Sequence, residues 1–586
     1  MSVLYLLGEI GFYITLFLLR KSEKKLNGVI WLIITLLLEM CWSVLTAGIL
    51  NLVHIPINIT SIGLVYLVSA VLLGVKLYRD KEVQKYRWNV LDIVFTVLVF
   101  AGVTGIVLYK AGPQLGMTFH NSDAAVHLKN AVQFVQEEHL PTMYFAPFQL
   151  GMLIEIAKPV VAIYSYYKIF LLFDAFLFAL EISLFVLYFN EYVSKRWMQV
   201  AGFFFALLCA AGYPMHSYLF SFYYWGLGVA LMLCAAYLLQ KYRRQEIRGG
   251  YALFALMLVC NGVTMCYMLF GPLTFVAVFF CLISIMRKEG TLVCGKNIVT
   301  MLQVFLLPTI LAVYYCYVQF LQKQAMSASD VMTIDGGIYR ELYANFILLI
   351  PFVLYALIRA FRKKQVEENT IFFITTAVCV LILFVLTYKD RMSGYYFFKF
   401  YYPLWVFAFA LTFYGVLEMK KEHWESLLSY GALIVFLFVM HYGHIESKII
   451  EHKKSLLAEE YASMFFNLYD NNKAWLVDAQ PLFTETYMEL CRYKVDHLSG
   501  EEVPLLSSQE GYAKCYWYEA ATGEDCSDYY GWQNSYKEII KKLKANGVKY
   551  VAVYREDSIY GEHASDFEKL ERVYDNGPGC IWKLSE

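Results

Sequence analysis

Charged residues are scarce in this sequence: Asp, Glu, Lys and Arg make up only 17% of its 586 residues. A soluble globular protein carries about 25% charged residues, so an ordinary soluble fold is excluded for the chain as a whole. The 49 basic residues are balanced by 49 acidic residues, which leaves no net charge to attract nucleic acid. We therefore expect no nucleic-acid partner.

The motifs of several enzyme classes are also missing. The sequence contains no G-x-G-x-x-G loop, no Walker motif and no Ser-His-Asp motif. Its 13 cysteines form no C-x-x-C pair and no Cys/His spacing typical of zinc, so the sequence predicts no metal ligand. It also has no internal repeat of fixed period, a feature on which many transporters are built.

Apolar residues are abundant instead, at 59% of the chain, and the positive mean hydropathy of +0.49 reflects the same excess. They are concentrated in runs of about 17 residues or more, the length that a helix needs to cross the hydrocarbon core of a bilayer. The sequence predicts about fourteen transmembrane helices. Their expected ranges are 3–19, 28–50, 59–77, 90–109, 166–189, 197–213, 217–240, 251–267, 268–286, 298–320, 341–361, 370–387, 396–417 and 426–444.

Basic residues occupy every second loop between these runs. The basic loops are 20–25, 76–87, 195–196, 241–248, 287–296, 359–364 and 420–421. Because cytoplasmic loops are enriched in Lys and Arg, these loops are predicted to be inside. Both termini are then extracytoplasmic, together with loops 110–165 and 321–340, and the expected location is the plasma membrane.

The chain changes character after residue 445, where it becomes charged and has no further spanning run. Residues 535–545 are typical of a helix that ends at Asn546-Gly547, and residues 548–554 and 580–584 are typical of strands separated by a turn at 575–577. Four cysteines lie in this region (Cys491, Cys515, Cys526 and Cys580). An oxidising compartment would leave one or two disulfides open to them, and their spacing predicts no pairing.

The predicted fold class is an all-α polytopic membrane protein with a small C-terminal extracytoplasmic α/β domain. Three parts are expected: N-terminal transmembrane helices in residues 1–89, a transmembrane core in 90–444, and the soluble domain in 445–586.

The first long external loop contains the most informative polar residues. Asn121 and Ser122 are good N-cap residues, so Asp123 is predicted in the first turn of a helix that runs to about residue 138. One face of this helix would be apolar, with Ala124, Leu128, Ala131, Val132 and Val135. Asp123, His127, Asn130, Phe134 and Glu137 would form a second, mostly polar stripe, which suits a helix lying in the membrane interface.

Asp123 has two interpretations. The helix dipole favours a negative charge at this end, and a carboxylate with His127 one turn away is suited to accept a proton or hold a cation. The alternative is that Asp123 only completes the helix N-terminus, as acidic residues of a first turn often do.

The stretch Asn121-Ser122-Asp123-Ala124-Ala125-Val126-His127-Leu128, followed by Glu138-His139-Leu140-Pro141, resembles the catalytic-side external loop of the GT-C superfamily. This superfamily of polyprenyl-phosphate-sugar-dependent glycosyltransferases includes protein O-mannosyltransferases and the lipid A aminoarabinose transferase. Residues 542–554 (KLKANGVKYVAVY) and 566–584 also resemble the terminal soluble module of many bacterial members.

The resemblance implies a GT-C-like fold with Asp123 as catalytic base, assisted by His127. It implies a lipid-linked sugar as donor and an envelope glycan, lipid or protein as acceptor. The surrounding membrane lipids are the other expected partners. Two features depart from the pattern: Asp123 is followed by two alanines where many members have a second acid, and three helices precede the loop. The chain would then belong to a divergent bacterial branch, and a divalent metal is the one cofactor left open.

Basic residues on the same predicted side are the candidate ligands of the donor phosphate. Lys389, Arg391 and Lys399 surround a short external turn, and Arg340 lies in the preceding external loop. Charge at the membrane boundary is costly and often functional, and guanidinium binds phosphate through two hydrogen bonds. The alternative is interfacial anchoring, in which Lys and Arg side chains extend to the headgroups.

Asp174 and Glu181 lie two turns apart within a predicted span, where they should face the interior of the helix bundle. They fit an alternative function, a transporter or flippase of lipid-linked glycans. A non-catalytic membrane protein of envelope assembly is the third alternative. His216 is predicted in a tight external turn, and Asp335-Gly336-Gly337 in a flexible one.

Overall fold

In the computed structural model of the protein, the described residues are 2–140, 145–288, 295–315, 332–333, 335–341, 345–364, 366–442, 466–529 and 536–584. Helices dominate throughout, as the long apolar runs require. In the first two thirds of the chain they are α1 (Ser2–Leu18), α2 (Gly28–Leu52), α3 (Ile59–Asp80), α4 (Val90–Ala111), α5 (Ser122–Glu137), α6 (Phe145–Ala157), α7 (Tyr166–Asn190), α8 (Arg196–Ala210), α9 (Tyr213–Leu219), α10 (Tyr223–Arg243), α11 (Gly249–Cys266), α12 (Phe270–Lys288), α13 (Gly295–Val313), α14 (Ile350–Arg362) and α15 (Glu368–Tyr388). The later helices are α16 (Gly394–Lys399), α17 (Tyr401–Glu422), α18 (Trp424–Tyr442), α19 (Asn467–Val477), α20 (Glu485–His497), α21 (Tyr512–Thr522), α22 (Tyr536–Ala545) and α23 (Ser558–Phe567).

Among the described residues, nine helical segments are long and apolar enough to cross a membrane. They are α2, α3, α4, α7, α10, α11, α12, α15 and the segment formed by α16 with α17. A tenth is added if α8 and α9, which meet at an angle of 49°, are taken as one broken span. The protein is therefore a multi-pass helical membrane protein.

The remaining predicted spans coincide with shorter elements. Three of them overlap helices whose apolar stretches are shorter than those of the nine segments: 3–19 overlaps α1, 298–320 overlaps α13 and 426–444 overlaps α18. Range 341–361 includes a turn before α14, because the helix begins only at Ile350. The number fourteen and the orientation in the membrane stay predictions.

The helix bundle is arranged around α10, which is buried along its entire apolar window, with α2 and α7 nearly as buried. By contrast, α3, α4 and α15 are largely exposed along theirs, as lipid-facing helices at the edge of a bundle would be. A helix that is buried on all sides must be apolar around its whole circumference. In α10 the basic residues Lys241 and Arg243 accordingly lie in the last turn.

Among the N-terminal helices, α1 and α3 pack closely against each other. Gly8 of α1 lies so close to α3 that a Cβ atom there would stand 2.9 Å from the carbonyl oxygen of Gly63. Small residues permit such close helix contacts in membranes. The two-residue strands β1 (Leu26–Asn27) and β2 (Tyr86–Arg87) pair in parallel beyond the ends of α1 and α3.

The buried Lys21 closes the end of α1. Its ammonium donates hydrogen bonds to the carbonyl oxygens of Leu16 at 2.8 Å and Phe17 at 2.6 Å, where the carbonyl end of a helix favours a positive charge. Its backbone N–H and that of Ser22 both donate to the side-chain oxygen of Gln84, at 2.9 and 2.8 Å. The end of α1 thus depends on a residue that follows α3.

The C-terminal region contains five helices and a four-stranded sheet. The strands are β3 (Leu505–Leu506), β4 (Tyr550–Tyr554), β5 (Glu571–Asp575) and β6 (Gly579–Lys583), in the order β3-β4-β6-β5. β3 is parallel to β4, and the other pairs are antiparallel. The predicted helix before Asn546 is α22, and Gly547 has the left-handed backbone (φ +76°) expected after it.

This region packs directly on the helix bundle, against the start of α7 and the segment between α4 and α5. The ring of Phe119 lies 5.1 Å from that of Phe170 in α7 and 5.2 Å from that of Trp517 in α21. The carboxylate of Glu485 accepts hydrogen bonds from the backbone of Met117 at 3.0 Å and from the Tyr167 hydroxyl at 3.1 Å. Residues 443–465 lie outside the described residues, so a domain boundary at 445 stays a prediction.

In the described structure all four cysteines of this region are free thiols. The Cys491 thiol donates within its own helix, to the carbonyl oxygen of Tyr487 at 3.6 Å. Cys580 lies in β6, opposite Val553 of β4 and Asp575 of β5, so neither cross-strand partner is a cysteine. Cys515 and Cys526 approach each other without a bond between them.

Candidate functional site

The start of α5 is fixed by Asn121. Its side-chain oxygen accepts a hydrogen bond from the backbone N–H of Ala124 at 3.0 Å, which makes it the N-cap, as the sequence predicts. The other end of the same amide donates to the carbonyl oxygen of Phe220 at 2.8 Å, just before α10. One side chain thus begins α5 and ties it to the transmembrane core, with Asp123 in the first turn.

The apolar face of α5 is broader than the sequence indicates. Ala124, Leu128, Ala131 and Val132 are buried as predicted. Phe134, assigned to the mostly polar stripe, is also buried, and this assignment is wrong. The reason lies in α6, where Gly151 has no side chain and leaves room for the Phe134 ring, with which a Cβ atom there would collide.

Lys399 is buried at the end of α16 and stands inside a box of aromatic rings. Its ammonium lies 4.2 Å from the ring centre of Tyr395 and 4.7 Å from that of Phe222. Three more rings complete the box: Tyr267 at 5.2 Å, Tyr224 at 5.6 Å and Trp225 at 5.9 Å. The ring faces attract a cation, and the attraction is worth about 2 kcal/mol or more when water is excluded.

Asp123 is the counter-charge of this lysine across the site. The charges of Asp123 and Lys399 interact, although α5 and α16 are far apart in the sequence. Burial raises the pKa of the Asp123 carboxyl above its ordinary range, and the positive charge of Lys399 opposes that rise. A carboxylate with a raised pKa is a stronger base than an exposed one.

His127 completes the polar part of the site. Its ring lies 4.8 Å from that of Tyr224 and 5.7 Å from that of Tyr223. Burial, with the charge of Lys399 acting in the same direction, lowers the pKa of His127 to about 3. The imidazole is therefore neutral at physiological pH, and its Nε2 has no hydrogen-bond partner among the described residues.

The structure separates the four predicted phosphate ligands into two groups. Only Lys399 joins Asp123. Lys389 and Arg391 are exposed beyond the end of α15, and within the described part of the chain no side-chain contact joins either of them to Asp123. Arg340 is also exposed and pairs with Asp335 at 2.5 Å.

The turn at Asp335 lies against α16. The Asp335 carboxylate accepts a hydrogen bond from the Ser393 hydroxyl at 2.8 Å, and Ser393 is the N-cap of α16. Gly336 stands against the ring of Tyr395, where a Cβ atom would be 2.8 Å from a ring carbon. The predicted turn therefore covers the outer side of the aromatic box, although most of loop 321–340 lies outside the described residues.

A second group of rings surrounds the start of α5. His120 stacks on Trp475 of α19 at 4.6 Å between ring centres, and Phe220 contacts both. Burial lowers the pKa of His120 to about 4, so this ring is neutral as well. His216, predicted in a tight turn, lies in the short helix α9, where its Nε2 accepts a hydrogen bond from the backbone of Tyr339 at 3.3 Å.

The aromatic residues of the box were missed from the sequence. The run Phe222-Tyr223-Tyr224-Trp225 was assigned to the interior of span 217–240, and Tyr267 to the end of another. In the structure, the expected span 217–240 is broken at Ser221, whose backbone is left-handed (φ +55°), directly before these rings. Ring clusters gathered from three elements leave no local pattern in the sequence.

Asp174 and Glu181 face the bundle interior, as predicted, and both are buried. The Glu181 carboxylate accepts a short hydrogen bond from the Tyr402 hydroxyl. The space between the two acids is a cavity of about 10 Å³, room for about one water molecule.

Comparisons with known proteins give distant structural similarities alone. No family model matches the chain, and no curated protein does. Among solved structures, the chain is similar to the oligosaccharyltransferase of Archaeoglobus fulgidus in its apo form, with 10% sequence identity and a TM-score of 0.39. The similarity covers 79% of this chain and 70% of the archaeal one.

Proposed function

We propose that this protein is a membrane glycosyltransferase of the GT-C type. It would transfer a sugar from a polyprenyl-phosphate donor to an envelope glycan, lipid or protein on the external face. The observation that carries the proposal is that a half-buried carboxylate, Asp123, and a buried cation, Lys399, lie near enough for their charges to interact at one aromatic-lined site. Sugar transfer from a lipid phosphate requires both: a base near the acceptor hydroxyl and a cation near the departing phosphate.

Asp123 is the proposed base. Its place in the first turn of α5 directs it toward Lys399, and its raised pKa favours proton transfer from the acceptor hydroxyl. His127, one turn further, is neutral and has a free Nε2, so its proposed part is to orient the acceptor by a hydrogen bond.

Lys399 is the proposed partner of the donor phosphate. The surrounding rings hold its ammonium in one place, and no carboxylate of the described residues forms an ion pair with it, so its charge can attract an entering phosphate. Lys389, Arg391 and Arg340 are exposed on the outer side, where they would attract the anionic donor before it binds.

The side chains around Asp123 fit a divalent metal poorly. Among the described residues, no other His, Cys, Asp or Glu joins it in a cluster of three ligand atoms, and the charge of Lys399 repels a second cation. We therefore assign no step of the reaction to a metal.

The transporter alternative depends on Asp174 and Glu181. The small cavity between them, with room for about one water molecule, is less suited to a glycan path than to buried, hydrogen-bonded packing. The third alternative, a non-catalytic membrane protein of envelope assembly, does not explain why charged side chains are buried at this site.

The proposal is tested in cells that lack the gene, complemented with variants of the protein. Asp123→Asn keeps the size and the helix start but cannot take a proton. General-base assistance is worth about 10²–10⁴-fold, so sugar transfer should slow at least a hundredfold at normal protein levels, with the lipid-linked donor accumulating. The measurement is mass spectrometry of lipid-linked and envelope glycans.

The matched control is Asp478→Asn, which removes an exposed carboxylate after α19 and should restore the wild-type glycans. If Asp123→Asn restores them as well, Asp123 only completes the helix. If deleting the gene changes no glycan, the glycosyltransferase proposal is wrong.

A further inference from the structure

Two thiols and a carboxylate converge in the C-terminal region, away from the proposed catalytic residues. Cys515 and Glu519 lie one turn apart on α21, and Cys526 follows in the loop after it. Their ligand atoms all lie within 4.8 Å of one another, and all three side chains are buried. The helix ends at Gly523, whose left-handed backbone (φ +76°) turns the chain back so that Cys526 faces the other two.

We propose that Cys515, Cys526 and Glu519 bind a zinc ion. Thiolates and carboxylates are common zinc ligands, and bonds of about 2.0–2.3 Å place the ligand atoms of a tetrahedral ion roughly 3.3–3.8 Å apart. Side-chain movements of about an ångström would bring the three atoms to these separations. A site with three protein ligands leaves the fourth position to water.

The groups around the cluster suit a bound cation. The backbone N–H of Leu505 donates to the Cys526 sulfur at 3.3 Å, and that of Cys526 donates to one Glu519 oxygen at 2.9 Å. Such outer hydrogen bonds orient the ligands of metal sites. The other Glu519 oxygen accepts from the ammonium of Lys129 at 2.8 Å.

The charges also balance. Two thiolates and one carboxylate carry three negative charges, which a zinc ion and the ammonium of Lys129 neutralise together. A cavity of about 300 Å³ lies beside Glu519 and Lys129, and it supplies an entry path and space for the fourth ligand.

The zinc ion would hold the C-terminal region against the bundle. Lys129 belongs to α5, so its ion pair with Glu519 joins the metal cluster to the helix that begins at Asp123. The proposed ion therefore stabilises the contact between α21 and α5, and this role does not depend on glycosyl transfer.

The test uses the full chain, purified in detergent after expression with zinc and washed with chelator. Elemental analysis should find about one zinc ion per chain in the wild type, and its loss in Cys515→Ser and in Cys526→Ser. The control is Cys580→Ser, which removes a buried thiol of the same region outside the cluster and should keep the ion. Lys129→Met should weaken zinc binding about 10–100-fold in a competition titration.

A measurement on the wild type covers the case in which the cysteine variants fail to fold. Replacement of zinc by Co²⁺ should give the thiolate-to-cobalt charge-transfer absorption of a site with two sulfur ligands. Wild-type protein that takes up no zinc from excess salt, or zinc content unchanged in Cys515→Ser, would overturn the proposal. A Cys515–Cys526 disulfide in a non-reducing peptide map would overturn it too.

Discussion

The ammonium of Lys399 is surrounded by rings, whereas Arg391, eight positions earlier, is fully open to solvent. The two residues were equivalent candidates in the sequence because both are basic and both lie near one external turn. Burial distinguishes them, since a charge interacts far more strongly with phosphate where water is excluded. The proposed phosphate contact therefore centres on one buried lysine and not on a cluster of exposed cations.

This distinction predicts different effects on donor binding. Lys399→Met should raise the apparent KM for the lipid-linked donor at least about tenfold, because it removes a desolvated charge. Arg391→Lys keeps the charge and loses only the bidentate geometry at an exposed position, so KM should rise less than about threefold. Steady-state kinetics on purified protein measures both, and the reverse order of effects would return the phosphate site to Arg391.

The environment of Asp123 also predicts the pH dependence of the reaction. A base acts only when ionised, so kcat/KM should fall as the pH drops through the pKa of Asp123. Burial raises this pKa, which places the acidic limb above the ordinary value for aspartate, about 3.9. His127, with its pKa lowered to about 3, stays neutral across the measured range, and His127→Ala should leave the position of the limb unchanged.

The measurement is kcat/KM as a function of pH for the wild type and His127→Ala. An acidic limb that persists in the residual activity of Asp123→Asn would belong to another group.

Among the helices, α5 shows how one N-cap residue can serve two structures. Asn121 begins the helix with its oxygen and holds Phe220 with its nitrogen. Asn121→Ala removes both hydrogen bonds, and a lost cap typically costs about 0.5–2 kcal/mol. We expect a lower thermal midpoint in detergent, measured by fluorimetry.

Asn121→Asp is the matched variant, because its carboxylate still caps the helix but cannot donate to the Phe220 carbonyl. Its midpoint should fall between those of Ala and the wild type. Equal midpoints for Ala and Asp would mean that the cap itself contributes nothing and the contact with Phe220 everything.

The positions of helices could largely be predicted from the sequence, whereas their contacts could not. Long apolar runs gave α2, α4, α7 and α11 to within a few residues, since burial of backbone groups in lipid forces them to be helical. The capped start of α5 and the glycine end of α22 followed from local chemistry.

Features that depend on distant residues escaped prediction. The burial of Phe134 requires the missing side chain of Gly151. The box around Lys399 requires rings from the start of α10, the end of α11 and α16. The cluster at Cys515 also joins a helix to a loop, at a spacing outside the common zinc motifs.

For the whole molecule, the alternation of basic loops predicts which surfaces share a compartment. Single cysteines at Lys389 and Asp335 should react with a membrane-impermeant reagent in intact cells, and those at Arg244 and Lys363 only after the membrane is opened. The wild type is the background control, since its described cysteines are buried or half-buried. Labelling of Lys363→Cys and Asp335→Cys from the same face would contradict the predicted topology.

The dependence of α1 on Gln84 has a consequence for how the chain is made. The hydrogen bonds that close the end of α1 reach forward over about sixty residues, past two further helices. During synthesis on the ribosome, the backbone N–H groups of Lys21 and Ser22 therefore gain their partner only after the segment that follows α3 has emerged. We expect the first three helices to reach their full stability together, as a group and not one at a time.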